Sequence, residues 1–284
     1  MNNSATERFG FFCGYYFRKL FSQPNSDDLF RKKFYRAIAK SSVSIDAESE
    51  NELLFTLRET SRRNLQISVR RKNSSDIQVF EQVFINKEYE ALVKNIFAAG
   101  KETEIRFVID AGANIGFTTL YLNQYFPKAY FQVIEPDKNN FEQLRKNFKL
   151  NNLQNTELHL SGLWSSDGWL QINRDADEGK EWSYRVTASD KPTDLKGISF
   201  TTLLNKTDFP FIDILKVDIE GGEKELFRKE EIISPVLQKT RFLAMEIHDH
   251  LADRGLILSV LEKNNFSWFQ HKELTIACNQ SLLA

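Results

Sequence analysis

The sequence predicts an α/β fold built on a mostly parallel sheet, with a helical N-terminal extension and a β-hairpin before the sheet begins. From residue 105 onward, short apolar runs such as 105–111 and 211–218 alternate with helical stretches such as 138–150. Continuous apolar strands are typical of parallel sheets that helices cover on both faces. The last two predicted strands, 266–270 and 273–278, are joined by a short turn. We therefore expect the final strand to run antiparallel to its neighbours.

The predicted elements follow the chain in three blocks. Residues 1–50 form a helical extension or cap, and its end, 41–52, is predicted to be a polar linker. Residues 51–100 are predicted to form a hairpin and a helix that lead into the core, and residues 101–284 are predicted to form the main α/β domain. The strands are predicted at 65–71, 77–85, 105–111, 129–135, 156–161, 168–173, 211–218, 241–247, 266–270 and 273–278. Beyond the extension, helices are predicted at 87–98, 115–126, 138–150, 222–229 and 251–263.

Composition excludes several classes of protein. The chain has 284 residues, of which 41% are hydrophobic and 27% charged, as in an ordinary globular protein. Its 38 basic and 39 acidic residues lack the basic excess that is typical of a nucleic-acid binder. We therefore predict that the protein has no nucleic-acid partner. No apolar run approaches the roughly 18 residues of a membrane span. The two cysteines, Cys13 and Cys278, lie near opposite ends of the chain, which favours a reducing, cytoplasmic compartment.

The first 40 residues differ from the rest in charge. They carry eight basic and three acidic residues, and aromatic side chains recur at helical spacing between Phe9 and Leu20 and again after Pro24. Two amphipathic helices with basic outer faces are predicted. They would pack on the main domain, join two copies of the chain in a homo-oligomer, or touch a membrane surface, and packing is the commonest use of such helices.

The loop after the predicted strand at 105–111 carries the clearest functional motif. It contains Asp110, Gly112, Asn114 and Gly116, and a predicted helix begins directly after it. In an open α/β sheet, ligands bind beyond the carboxyl ends of the strands. Glycine lets a ligand approach the backbone, and the start of a helix offers free N–H groups. The glycine spacing differs from both the dinucleotide G-x-G-x-x-G motif and the P-loop.

Glu135 ends the next predicted strand, about 20 residues after the loop, where an acidic residue can accept hydrogen bonds from a ribose diol. A glycine-rich turn alone is often only a tight connection between a strand and a helix. The loop and the glutamate in this order instead indicate a site for an adenosyl ligand with an amino-acid tail.

Carboxylates are concentrated at the end of the predicted strand at 211–218. Asp218, Glu220 and Glu223 follow one another with Gly221 and Gly222 between them. Such residues often only complement the start of a helix. Beside a ligand crevice they also suit a general base, a cation site or contacts to substrate hydroxyls.

His248 ends the predicted strand at 241–247. A single histidine is more often packed or exposed than catalytic, but beside Asp218 it is a second candidate for a base. The surrounding residues lack the compact ligand spacing of a zinc site, so we predict no metal site. Magnesium held by carboxylates is an alternative that the sequence does not support directly.

Several segments together resemble the FkbM family of S-adenosylmethionine-dependent methyltransferases, over about residues 65–278. The segments are the loop from Asp110 to Gly116, Glu135-Pro136, Asn147 with Leu150-Asn151, the run from Lys216 to Glu223, Met245-Glu246-Ile247-His248, and the stretch from Ser75 to Phe84. The resemblance implies a class I methyltransferase sheet, which is Rossmann-like, and S-adenosylmethionine as the methyl donor. It also implies an oxygen acceptor on a sugar, a polyketide or another small molecule.

The resemblance assigns roles to residues on both sides of the crevice. The methionine end of the donor would be held by Asp110, Gly112, Asn114 and Gly116. Glu135 would hold the ribose, the strand around Ser161 to Trp164 would line the adenine, and Asp218 and Glu220 would face the acceptor. Leu204 departs from the pattern, since members of the family commonly have an acid there.

Three functions are consistent with this fold. In a methyltransferase, a hydroxyl acceptor must lose its proton, and Asp218 is the first and His248 the second candidate to take it. A nucleotide-dependent oxidoreductase would require the G-x-G-x-x-G loop that Ala113 and Asn114 disfavour. A catalytically silent relative would act as an interaction module through the N-terminal helices, which the intact donor motif disfavours.

Overall fold

The chain divides into two compact units. The computed structural model describes Phe11 and residues 26–58, 62–72, 74–174 and 184–283. One unit contains the described residues up to Lys87 together with Arg145–Leu153, and the other contains Glu88–Leu144 and the described residues from Gln154 onward. The helix predicted between Phe9 and Leu20 lies outside the described residues apart from Phe11, so its suggested role in oligomerisation stays a prediction. The domain boundaries predicted near residues 50 and 100 also stay predictions.

The first unit combines a helix with a three-stranded antiparallel sheet. The helix is Ser26–Ala37, and a turn of 3-10 helix, Ile38–Lys40, follows it. The strands, in sheet order, are β1 (Ser42–Glu48), β2 (Glu52–Arg58) and β3 (Leu65–Arg70). Phe34, Phe55 and Phe80 form its aromatic centre, with ring centroids 5.2 Å apart in the first pair and 5.1 Å in the second.

The prediction of a linker at 41–52 was wrong, because β1 occupies most of it. Only Val43 of this strand is buried. The strand is held by backbone pairing with β2 at the edge of the sheet, so its polar composition resembled that of a loop.

The predicted strand at 77–85 was also wrong. The segment is an α-helical turn, Asp76–Phe80, that continues as a π-helical turn, Glu81–Ile85, and the antiparallel partner of β3 is β2. The buried side chains follow a helical period: Ile77, Phe80, Val83 and Phe84. The Asp76 carboxylate accepts a hydrogen bond from the backbone N–H of Arg70 at 2.7 Å, which fixes the turn between β3 and this helix.

The second unit contains a ten-stranded sheet in the order β12-β13-β11-β10-β4-β5-β6-β9-β7-β8. Its strands are β4 (Phe107–Ala111), β5 (Tyr130–Glu135), β6 (Thr156–Leu163), β7 (Gly168–Arg174), β8 (Tyr184–Ser189), β9 (Leu195–Ile198), β10 (Ile212–Val217), β11 (Thr240–Glu246), β12 (Phe266–His271) and β13 (Leu274–Asn279). The strands from β11 to β9 in this order pair in parallel. The last strand, β13, runs antiparallel to β11 and β12, as predicted.

Helices connect these strands. They are Glu90–Ala98, Phe117–Tyr125, Lys138–Leu150, Phe200–Leu204, Glu223–Phe227, Glu230–Leu237, Arg254–Lys263 and Gln280–Leu283. The helix predicted at 222–229 ends early and a separate helix, Glu230–Leu237, follows it. No helix within the described ranges combines the length and the apolar character that crossing a bilayer requires.

The strand order creates one reversal of direction across the sheet. The chain builds β4, β5 and β6 outward on one side and then returns to place β10 on the other side of β4. The residues that follow β4 and β10 therefore border a crevice at the carboxyl ends of the strands, which is where open α/β sheets bind ligands.

Candidate active site

A buried ion pair joins the two strands that border the crevice. Asp110 of β4 and Lys216 of β10 are direct neighbours in the sheet, and Asp110 Oδ1 lies 3.3 Å from Lys216 Nζ. Burial is the largest single effect and lowers the pKa of Lys216, but the charges of Asp110, Tyr89 and Asp218 and a hydrogen bond with Asp110 together raise it. The other Asp110 oxygen accepts a hydrogen bond from Thr119 Oγ1 at 2.6 Å. Asp110 is fully buried, so these two contacts place it inside the protein, beneath the loop that follows β4.

Lys216 also binds the loop itself. Its Nζ donates to the carbonyl oxygen of Gly112 at 2.6 Å and lies 3.7 Å from Asp218 Oδ2. One buried cation therefore links the loop after β4 to the carboxylate that follows β10. The role of Lys216 was missed in the sequence, although a lysine inside an otherwise apolar strand indicates a paired buried charge.

Gly112 is required by packing within the protein. Its φ of +76° lies in the left-handed region, and a Cβ added there would lie 1.6 Å from the backbone oxygen of Asp218. The glycine thus lets the loop after β4 contact the backbone at the end of β10. From the sequence, this glycine was explained by the close approach of a ligand, whereas the structure explains it by the close approach of the backbone at Asp218.

The loop then turns twice before the helix Phe117–Tyr125 begins. Asn114 and Gly116 have φ values of +51° and +84°. The backbone N–H of Asn114 donates to Glu135 Oε2 at 2.8 Å. The side-chain oxygen Oδ1 of Asn114 is buried and has no hydrogen-bond partner among the described residues. A buried acceptor without a donor is costly, so this position suits a ligand that carries an N–H or O–H group.

Glu135 is held at the end of β5 by two backbone donors. Oε2 accepts from Asn114, and Oε1 accepts from the N–H of Asp137 at 2.8 Å. Burial raises the pKa of Glu135 to about 7, against the lowering effect of these two hydrogen bonds. Each carboxylate oxygen has a second lone pair, so the residue can still accept hydrogen bonds from a diol.

Ser161 lies farther along the sheet, beside a cavity of about 380 Å³ between β6, β7 and β9. Trp169, Lys196, Asp167 and Thr202 are among the lining residues, and Lys196 Nζ lies 5.2 Å from the centroid of the Trp169 ring. The assignment of Ser161 to the donor site stays a prediction. Trp182, a further aromatic residue of the segment 163–190, lies outside the described residues.

Carboxylates from the ends of two neighbouring strands, β10 and β11, surround His248. Its Nδ1 lies 3.1 Å from Glu223 Oε1, and its Nε2 lies 3.3 Å from Glu220 Oε2 and 3.6 Å from Glu246 Oε1. Glu223 is fully buried, while the Asp218 side chain is 28% exposed towards solvent. The structure therefore brings the predicted catalytic residues Asp218, Glu220 and His248 together.

The ionisable groups of this cluster perturb one another. Burial raises the pKa of Glu220 to about 7, and the charge of Asp218 adds to the shift. Burial and then the charge of Asp218 also raise the pKa of Glu246. For His248, burial lowers the pKa, but the hydrogen bond with Glu223 and the surrounding carboxylates raise it overall.

The same edge of the sheet bears on the question of a metal. Asp218, Glu246 and His248 each offer one ligand atom, and these atoms lie within 4.8 Å of one another. Carboxylates and imidazoles are also common in sites without a metal. The absence of a metal site therefore stays a prediction.

The sheet order and the loop between β4 and its helix define a class I methyltransferase fold, which is Rossmann-like. Residues 110–274 match the Methyltransferase FkbM domain, more than half of the chain. The chain therefore belongs to the FkbM methyltransferase family.

Curated relatives and solved structures give further likenesses. The chain is 25% identical over 173 residues to Methyltransferase 1 of Beauveria bassiana (strain ARSEF 2860), covering 53% of this chain and 65% of that protein. It is 28% identical over 153 residues to Methyltransferase sdnD of Sordaria araneosa, covering 43% of this chain and 59% of that protein. The chain thus spans less than two thirds of the length of these two relatives.

Two solved structures are similar at a greater distance. Methyltransferase FkbM from Methylobacillus flagellatus KT is 18% identical, with a TM-score of 0.40, over 61% of this chain and 43% of that one. The N-terminal domain of human METTL16 in complex with SAH is 14% identical, with a TM-score of 0.42, over 89% of this chain and 81% of that one. Likenesses at this level carry no argument about this chain.

Proposed function

We propose that the protein transfers a methyl group from S-adenosylmethionine to a hydroxyl group of a sugar, a glycan or another small molecule. The observation that carries the proposal is the arrangement of the loop after β4 with Glu135. The buried carboxylate of Glu135, at the end of β5, accepts a hydrogen bond from the backbone N–H of Asn114. The group that would bind a ribose diol is therefore held directly against the turn before the helix. The family supports the reaction class, since it is a methyltransferase family.

The residues present suit both polar ends of this donor. The buried Oδ1 of Asn114 has no protein donor within the described part of the chain, and the α-amino group of the donor would supply one. Glu135 would accept hydrogen bonds from the ribose hydroxyls. The start of the helix Phe117–Tyr125 is not capped by a described side chain, so its backbone N–H groups would suit the donor carboxylate. When bound, the donor supplies an electrophilic methyl group and leaves as S-adenosylhomocysteine.

The acceptor side supplies a base. A hydroxyl that forms a bond to the methyl carbon must release its proton, and a carboxylate within hydrogen-bond reach accelerates that step. Asp218 follows β10 at the crevice and is partly exposed. Both ring nitrogens of His248 already face carboxylate oxygens. We therefore assign proton acceptance to Asp218 rather than to His248. Together with Glu220, Glu246 and His248 it forms what we call the acceptor wall, the side of the crevice that would face the methyl acceptor.

Two further observations support proposals about the compartment and about ligand stacking. A cytoplasmic location is supported by the use of cysteine, since Cys278 forms no disulfide within the described part of the chain. The cavity lined by Ser161 and Trp169 supports stacking of the adenine there, in keeping with the predicted assignment of Ser161 to the donor site.

Mass spectrometry tests the reaction directly. The purified protein is incubated with S-adenosylmethionine and a panel of glycans and small hydroxylated molecules, and acceptors are scored for a donor-dependent gain of one methyl group. In Asp218→Asn, we expect unchanged affinity for S-adenosylhomocysteine and a loss of turnover on the order of 100-fold. Glu225→Gln, which removes a carboxylate from the nearby helix Glu223–Phe227, serves as the control and should keep its turnover.

Two outcomes would count against the assignment. Normal turnover in Asp218→Asn would exclude this residue as the base. Loss of turnover on chelation, with recovery when magnesium is added, would instead assign Asp218 to a cation site.

A further inference from the structure

Glu223 is a glutamate without any exposure to solvent, at the first position of the helix Glu223–Phe227. A buried carboxylate is costly unless it is paired and hydrogen-bonded. A charge that served only to complement the helix start would gain as much at the surface. Its burial therefore indicates partners inside the protein.

Its partners come from two different strand ends. Glu223 Oε1 lies 3.1 Å from Nδ1 of His248, which follows β11, and it accepts a hydrogen bond from the N–H of Ile219, which follows β10, at 3.2 Å. A carboxylate can only accept, so Nδ1 of the imidazole is the donor in the first contact. One buried oxygen thus fixes the histidine ring relative to the acidic loop.

The opposite nitrogen of the ring faces the acceptor wall. Nε2 lies 3.3 Å from Glu220 Oε2 and 3.6 Å from Glu246 Oε1. When Glu220 and Glu246 are both ionised, Nε2 faces two groups that can only accept, so it carries a proton. With Nδ1 also donating to Glu223, the imidazole is then doubly protonated and cationic.

We propose that Glu223 is a positioning residue of the acceptor site, which holds His248 so that its Nε2 faces the carboxylates of Glu220 and Glu246. The cation offsets the repulsion between these carboxylates and Asp218, and it keeps them in place beside the crevice. The ring of His250, with its centroid 6.2 Å from that of His248, and Lys216 are further charged or titratable groups near the cluster. The proposal deepens the proposed function, on which its catalytic consequence depends.

Nuclear magnetic resonance tests the positioning without donor or acceptor. The chain has only 4 histidines, so the ring nitrogens of His248 can be assigned in labelled protein by comparison with His248→Gln. At neutral pH we expect two protonated ring nitrogens in the wild type. In Glu223→Gln we expect loss of the Nδ1 proton, whereas Glu225→Gln, the matched change two residues along the same helix, leaves the His248 signals unchanged.

Kinetics then separates positioning from a purely structural role. In Glu223→Gln we expect kcat to fall on the order of 100-fold, as for a displaced functional group, while S-adenosylhomocysteine affinity stays at the wild-type level. Glu223→Asp keeps the charge and should restore part of both the His248 signals and kcat, which keeps the test decisive if the glutamine variant folds poorly.

The two proposals fail in different ways. A neutral His248 ring in the wild type, or unchanged His248 signals in Glu223→Gln, would overturn the role of Glu223. Absence of methyl transfer by the wild type, with the expected His248 signals present, would overturn the proposed function and leave the contact between Glu223 and His248 intact.

Discussion

Replacement of Glu135 by alanine is the most informative change at the donor site. The wild-type carboxylate accepts two backbone hydrogen bonds, each 2.8 Å long, and retains a lone pair on each oxygen for the ribose diol. Glu135→Ala removes both functions at once. Stability and donor affinity are therefore expected to fall together, for separable reasons.

The magnitudes follow from these contacts. Hydrogen bonds to a charged group contribute about 1.5–3 kcal/mol, and solvation of the free site offsets part of this, so we expect a loss of about 1–3 kcal/mol in binding of S-adenosylhomocysteine. That range corresponds to a decrease in affinity of about 5- to 150-fold. The variant also leaves the backbone N–H groups of Asn114 and Asp137 without their hydrogen-bond acceptor. We expect this loss to lower the free energy of unfolding by about 2 kcal/mol.

Isothermal calorimetry measures the affinity and urea unfolding the stability. Glu157→Ala is the control, because Glu157 lies at the amino end of the neighbouring strand β6, where it pairs with Lys206. It should change neither the donor affinity nor the enthalpy of binding. Wild-type affinity in Glu135→Ala, at a protein concentration where the variant is folded, would remove Glu135 from the donor site.

The raised pKa of Glu135 adds a pH dependence with a defined sign. Its folded-state pKa of about 7 exceeds the value of an exposed glutamate, so the carboxyl contributes stability at low pH that is lost as the pH rises through 7. Ribose hydroxyls donate more strongly to the ionised form, so donor binding should release a proton. Affinity should rise from about pH 6 to pH 7 and level off by about pH 8, and Glu135→Gln should abolish this dependence.

Two further substitutions test the support beneath the loop. Gly112→Ala would place a Cβ against the backbone oxygen of Asp218. The control is Gly100→Ala, where nothing lies within 4 Å of the added Cβ, and it should lose only the roughly 1–2 kcal/mol of left-handed strain. We expect Gly112→Ala to lose much more stability than this control. Lys216→Met leaves Asp110 buried and unpaired, and should cost about 3–5 kcal/mol of unfolding free energy, part of which Lys216→Met/Asp110→Asn should recover. Equal melting temperatures for the two glycine variants, or additive losses at the ion pair, would contradict these contacts.

The central strands of the second unit's sheet were predictable because most of their residues are apolar, whereas β8 and β9 were not predicted. Phe107–Ala111 and Ile212–Val217 are buried at every position, so their runs of hydrophobic residues mark buried parallel strands. The loop after β4 was recognisable for a similar local reason, since Asp110, Gly112 and Asn114 lie within five consecutive residues, whereas their role in holding the donor stays a prediction.

The first unit was harder to predict. In the segment at 77–85, Ile77 and Val79 alternate as in a strand, whereas the residues that the protein buries follow a helical period. Strand β1 is polar because it lies at an edge, so hydrophobic pattern carries little information there. In both cases tertiary contacts outweigh the local pattern.

The contacts within the acceptor wall depend on strand order. Glu223 and His248 lie 25 residues apart and follow two different strands, and only the parallel pairing of β10 with β11 brings them together. The sequence identified both residues as ionisable groups near the site. Their mutual orientation could not be predicted, because it is set by a hydrogen bond between distant segments.

The central claim is that the crevice between β4 and β10 binds an adenosyl donor with an amino-acid tail. Calorimetric titration of the folded wild-type protein with S-adenosylhomocysteine, and in parallel with NAD, tests it most directly. The account predicts saturable binding of S-adenosylhomocysteine with one site per chain, weakened in Glu135→Ala, and no comparable binding of NAD. Binding of NAD with no heat from S-adenosylhomocysteine would contradict it and favour the oxidoreductase alternative.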